Sequence, residues 1–128
     1  MKKIVKICLF LCVGLFIFTG CKSKVDSETS DKYTKKAESI IQLINEGDNE
    51  KLNDSFDSTM KEGMTPDKYN QIADIIVNAG EFRSFTKSTV SEKDDKVSVI
   101  TMTKYDKATI TFTISFNKED KVAGLWLK

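Results

Sequence analysis

Histidine is absent from this chain, so acid–base chemistry would fall to carboxylates, tyrosines and lysines. Without imidazole, the commonest general base and the commonest metal ligand are both missing. Three acids, Glu38, Asp57 and Asp74, fall in segments with helical patterning where they could point inward. A carboxylate there could carry proton transfer without histidine. Each has polar neighbours, however, which favours solvated acids over catalytic ones. The pairs Asp94-Asp95 and Glu119-Asp120 could offer oxygen ligands to a hard cation. Neither has calcium-loop spacing, and turn formation accounts for both. No catalytic residue, metal site or cofactor is therefore assigned.

The aromatic residues offer a binding chemistry instead. Phe56, Tyr69, Phe82, Phe85, Tyr105, Phe112, Phe116 and Trp126 are spread from the middle of the sequence to its last strand segment. A small domain needs most of its large apolar side chains for its core. Four of them form the candidate ligand pocket: Phe56 and Tyr69 from helical segments, Tyr105 and Trp126 from strand segments. Tyr105 and Trp126 carry a polar handle suited to a pocket edge. A further stripe, Thr109, Thr111, Thr113 and Ser115, reads as a solvated sheet face of good strand formers. Its alternative reading is a flat platform for another protein.

The amino terminus has a different composition. Lys2, Lys3 and Lys6 precede an apolar run from Ile7 to Phe18, followed by Thr19, Gly20 and Cys21. A basic start, a short apolar run and small residues make a secretory signal peptide. The run is short for a membrane span, which takes about 20 apolar residues. The segment Phe18-Thr19-Gly20-Cys21 resembles a lipobox, which implies cleavage before Cys21 and a diacylglycerol thioether on it. Two acyl chains hold a protein on a bilayer stably where one does not. The expected location is the extracytoplasmic face of a cell membrane. Loss of residues 1–20 removes Cys8, Cys12 and three lysines. The mature chain then carries 17 basic and 19 acidic residues, near neutrality, with no basic excess to suggest nucleic acid. It has no free thiol and no disulfide, and folds on its core alone.

Those side chains must be positioned by elements readable from periodicity. Residues 21–31 are polar and read as the lipidated cysteine and a flexible tether. A helix is expected from about Asp31 to Glu46, with Tyr33, Ala37, Ile40, Ile41 and Ile44 as its apolar stripe. A second is expected from Asn49 to Thr59, capped by Asp48, with a connector from Lys61 to Met64. A third starts at Thr65 and Pro66 and ends at Gly80, burying Tyr69, Ile72, Ala73, Ile76 and Val77. From Glu81 the period changes from 3.6 to 2, giving four strands: Phe82 to Ser91, Lys96 to Tyr105, Ala108 to Phe116, and Lys121 to Leu127. The expected class is α+β, with N-terminal helices packed on one face of a curved four-stranded antiparallel sheet.

This order of elements, the Gly80-Glu81-Phe82 step into the sheet and the closing run Phe116-Asn117-Lys118-Glu119-Asp120-Lys121-Val122-Ala123-Gly124-Leu125 resemble the DUF3887 domain. The resemblance covers residues 32–128. It implies the NTF2-like, or cystatin-like, cone: a curved sheet wrapped around helices and open at one end. It brings no catalytic residues with it. The expectation is a membrane-tethered, non-enzymatic binding or accessory module. Its partner would be a small apolar molecule, a wall component or another protein. The alternative is a small cone-type enzyme, an isomerase or hydrolase-like protein with a pocket carboxylate.

Overall fold

A computed structural model describes residues 25–128. The signal peptide expected over residues 1–20 and the lipid expected on Cys21 lie outside the described residues. Among the described residues four helices come first: α1 (Ser27–Glu46), α2 (Asn49–Asp54), α3 (Ser58–Gly63) and α4 (Pro66–Ala79). Four strands follow: β1 (Phe82–Lys93), β2 (Lys96–Tyr105), β3 (Thr109–Phe116) and β4 (Val122–Leu127). They form one antiparallel meander in the order β1-β2-β3-β4. The class is α+β, an arrangement consistent with an NTF2-like fold.

The first helix begins earlier than its apolar stripe suggests. Asp26 is its cap and accepts a hydrogen bond from the Thr29 N–H at 2.7 Å. The segment expected to be tether up to residue 31 is thus helical from Ser27. Polar residues in a first turn are well tolerated, because that turn needs only a cap and solvent. The stripe itself is as expected, with Tyr33, Ala37, Ile40, Ile41 and Ile44 all buried.

The second expected helix is two short ones. Asp57 caps α3 through the Met60 N–H at 2.8 Å. Between the two, Phe56 forms an isolated parallel bridge with Val122. The Val122 N–H donates to the Ser55 carbonyl at 2.8 Å, and the Asp57 N–H donates to the Val122 carbonyl at 2.9 Å. The expected connector over 61–64 is partly helix for the same reason. Phe56 is anchored in the core, so the chain turns around it rather than continuing the preceding helix.

α1 and the sheet enclose the core. The inner face of β2 carries Val97, Val99, Thr101, Thr103 and Tyr105, and that of β3 carries Ile110, Phe112, Ile114 and Phe116. Bulges in β1, and another where Phe116 meets Val122, bend the sheet over the helix. Gly80 joins α4 to β1 at φ +90°, and a Cβ there would lie 2.9 Å from the Asp106 Cβ. That close approach lets Asp106 donate its N–H to Glu81 and Lys107 donate to Ala79, locking the joint to the β2–β3 turn.

Candidate functional site

The four aromatic residues proposed as pocket lining do not surround one cavity. Phe56 and Tyr105 are 1% and 2% exposed and belong to the core, which corrects their assignment to a pocket. The Tyr105 hydroxyl donates to the Asn45 side-chain oxygen on α1, satisfying its one polar atom indoors. Its ring meets Phe82 edge-on at 6.0 Å. Burial pushes its phenol up to about 12. Tyr69 is half-buried, and its hydroxyl donates to Asn53 on α2 at 3.2 Å. Burial also raises its phenol.

Trp126 is different: at 58% exposure it is the most open large apolar side chain of the sheet. Its six-membered ring lies over Gly124, where a Cβ would stand only 2.5 Å from the Trp126 Cη2. Glycine at 124 is what allows the indole to lie flat on its own strand. Trp126 borders a groove of about 320 Å³ between α4 and β4. Met64, Ile72, Ile75, Leu125 and Leu127 make the groove apolar, and Lys68 and Gln71 supply its polar groups. A concave apolar lining with a few polar groups is the usual make-up of a small-molecule site. The groove is open rather than enclosed, so it suits an amphipathic ligand lying along it.

Sequence reasoning missed every groove residue except Trp126. Ile75 was the available signal, because it stands off the expected stripe of α4 and beside Asp74. The helix therefore has two apolar sides and cannot bury both. The expected buried face is itself reduced. Ala79 is buried and Tyr69, Ile72 and Ile76 are half-buried, whereas Ala73 is exposed and Val77 is 74% exposed.

The candidate acids are dispersed. Glu38 is half-buried on α1, Asp57 serves as a helix cap and Asp74 is exposed on α4. Among the described residues, no three His, Cys, Asp or Glu side chains gather as a metal site. The Asp94-Asp95 and Asn117–Glu119 turns lie side by side around a surface depression of about 360 Å³. Asp94, Asp95 and Asp120 all have positive φ, as tight hairpin turns require. Asp120 has a structural role. It accepts from the Tyr33 hydroxyl at 2.5 Å and pairs with Lys32 at 3.0 Å, tying α1 to the β3–β4 turn. The Tyr33 hydrogen bond, with Lys32 beside it, holds the Asp120 carboxyl below its usual range. The same bond, helped by burial, pushes the Tyr33 phenol up to about 12.

A family model described as protein of unknown function (DUF3887) matches residues 37–125. The chain belongs to the DUF3887 family. The match spans α1 from Ala37 through to Leu125 of the last strand, so the groove of this DUF3887 domain lies almost wholly inside it. Among solved structures, the DUF3887 chain is similar to one determined by NMR, a protein from Ruminococcus gnavus ATCC 29149. The TM-score is 0.66 at 23% identity, over 79% of this chain and 90% of that one. That likeness is one of fold. No curated protein matches the chain. Among the described residues of the domain, no helix is long and apolar enough to cross a membrane.

Proposed function

We propose that this protein is an extracytoplasmic binding or accessory module of the NTF2-like superfamily, tethered by a lipid on Cys21, that acts without catalysis. The observation that carries the binding role is the groove beside Trp126. Its lining offers apolar surface, one lysine and one glutamine, and no carboxylate, histidine, tyrosine or cysteine to serve as partner to that lysine in proton transfer. The α4 side of the groove is held by Tyr69 and Ala79, and the strand side by pairing with β3. A ligand would therefore meet preformed walls.

The tethered location is supported by residues 1–21, with their lysines, apolar run and lipobox-like end. Ordered helix begins at Ser27, so few residues separate Cys21 from the folded domain. Four steps of extended chain, from Cys21 to Val25, reach at most about 14 Å. Such a tether holds the domain against the bilayer surface.

The groove is tested by titrating 1-anilinonaphthalene-8-sulfonate while following Trp126, the chain's only tryptophan. A saturable change in Trp126 emission is expected. It should be lost in Ile75→Glu at unchanged unfolding midpoint, since Ile75 is 41% exposed and contributes little to the core. A wild-type titration without saturation would remove the binding role. Tethering is tested separately by Cys21→Ala, which should leave an uncleaved precursor or release the domain from the membrane fraction.

A further inference from the structure

Strand register sorts the outer face of the sheet, opposite α1, into rows. One row is Lys87–Met102–Thr111–Lys128, and the next is Thr89–Ile100–Thr113–Trp126. The flanking rows are Ser84–Lys104–Thr109, Lys93–Lys96, and Ser91–Ser98–Ser115–Gly124. No aspartate or glutamate occurs in any of these rows, yet they hold Lys87, Lys93, Lys96, Lys104 and Lys128, all exposed. The asymmetry runs against the charge of the domain. Lys2, Lys3, Lys6, Lys22 and Lys24 lie before residue 25, so the described residues carry 15 basic and 19 acidic side chains. Asp94 and Asp95 at the β1–β2 turn offset Lys93 and Lys96, and at the other end Arg83 pairs with Asp106 and Glu81, which leaves Lys87, Lys104 and Lys128 outside any ion pair among the described residues. Between and beside them three large apolar side chains are open: Ile100 at 43%, Met102 at 38% and Trp126 at 58%.

We propose that this face docks on the anionic phospholipid surface of the membrane that anchors the chain. The charge complementarity selects an anionic partner and disfavours a second copy, whose identical face would bring lysine against lysine. The apolar residues select a bilayer over a purely aqueous polyanion. An indole settles at the headgroup level, and methionine and isoleucine side chains reach the acyl boundary. Basic residues are attracted to an anionic leaflet within about a Debye length, roughly 8 Å at physiological salt. Tethering through Cys21, with a reach of at most about 14 Å to Val25, keeps the domain at high local concentration beside that leaflet, so the inference rests on the tethered reading. Docked in this way, the sheet would lie on the membrane and α1 would face away from it.

The experiment uses the full lipidated chain in vesicles of phosphatidylcholine alone or with 30% phosphatidylglycerol, with brominated lipid as a quencher of Trp126. Flotation reports tethering, and quenching reports docking. Expected are flotation with both compositions, a blue-shifted and quenched Trp126 only with phosphatidylglycerol, and reversal by about 0.5 M salt. The exposed-site variant Lys87→Glu/Lys104→Glu should retain its circular dichroism and flotation. Its ratio of docked to undocked protein should fall by at least about five-fold per lysine replaced. Equal emission in both vesicle types, or quenching unaffected by salt and by the double variant, would overturn docking while leaving tethering intact. A full response to soluble polyphosphate on phosphatidylcholine vesicles would also overturn it, naming an aqueous polyanion as the partner. Loss of flotation alone would overturn tethering, and the response of Trp126 to added phosphatidylglycerol vesicles would still decide docking.

Discussion

α1 and α4 have similar amphipathic patterns in the sequence and opposite fates in the fold. α1 lies across the inner face of β1 and β2, with Tyr33 reaching Phe116 of β3, and buries five side chains. α4 packs on α1 and faces the edge strand β4 across the groove, buries Ala79 alone, and leaves Ile75 and Val77 open at 41% and 74%. The difference comes from what each helix has to pack on. A sheet's inner face offers apolar side chains along the full length of a helix, whereas an edge strand offers one row. An apolar stripe thus marks the capacity to be buried, and topology decides whether a partner exists. Here the unmatched part of α4 becomes a wall of the groove.

The contrast breaks first under truncation. Phe112 and Ile41 are fully enclosed in the core, so Phe112→Ala should cost about 3–5 kcal/mol and Ile41→Ala about 2–5 kcal/mol. Ile75→Ala on α4 should stay within about 0.5 kcal/mol, as exposed positions do. Urea unfolding of the three variants measures all of this. A loss at Ile75 comparable to that at Ile41 would mean that the groove is closed in solution and that α4 belongs to the core.

The joint between the two regions is the next test. Gly80 ends α4 with φ +90° and ψ −156°, a region that side chains enter only under strain. Gly80→Ala should cost about 1–3 kcal/mol from the backbone alone, before any displacement of Asp106. The same unfolding experiment measures it. An unaffected midpoint would show that the joint is free to move, and that α4 is not held in register with the sheet.

Much of this was legible in advance because it rested on short-range rules. The change of period at Glu81 marks the meander, and Asp48, Thr65, Gly47 and Gly80 punctuate the helices where local chemistry requires. The interruption at Phe56 was not legible, because it depends on a bridge to Val122, far along the chain. The candidate pocket failed for a related reason. Tyr105 was assigned to a rim on the strength of its hydroxyl, but Asn45 on α1 satisfies that hydroxyl inside the core. A polar handle shows that a partner is needed and cannot show that the partner is water or ligand. Trp126 borders a groove with other neighbours than those expected, since α4 and β4 face each other through tertiary placement that periodicity does not encode.

Alkaline pH compares the interior with its rim. Tyr105 in the core and Tyr33 at the α1 rim are both raised to about 12, by burial and by the Asp120 hydrogen bond respectively. A phenol whose folded value lies above its ordinary value of 10.0 contributes stability in full below pH 10, and that contribution disappears as pH climbs through 12. The midpoint of urea unfolding should therefore fall between pH 10 and 12. Tyr33→Phe should flatten that fall and also the acid limb. Asp120 is depressed chiefly by the Tyr33 hydroxyl, so its stabilisation holds above its ordinary 3.8 and fades as pH drops through the lowered value. A midpoint constant from pH 9 to 12 would contradict both assignments.

The smallest expected effect separates two threonines on one strand. Thr101 and Thr103 both point inward from β2, and both are wholly buried. Thr101 shares a hydrogen bond with the Ser88 hydroxyl at 3.0 Å, whereas the Thr103 hydroxyl has no partner among the described residues. A buried hydroxyl without a partner bears its desolvation cost uncompensated, about 1–3 kcal/mol. Valine has nearly the same shape and lacks that group. Thr103→Val should therefore stabilise the domain by on the order of 1 kcal/mol. Thr101→Val should destabilise it by a similar amount, because the half-buried Ser88 then loses its partner. Opposite signs from neighbouring positions of the same residue type would show that satisfaction, and not polarity, sets the energy inside this sheet. A loss at both positions would instead indicate an ordered water on Thr103, since one bridging water would make its hydroxyl as well satisfied as that of Thr101.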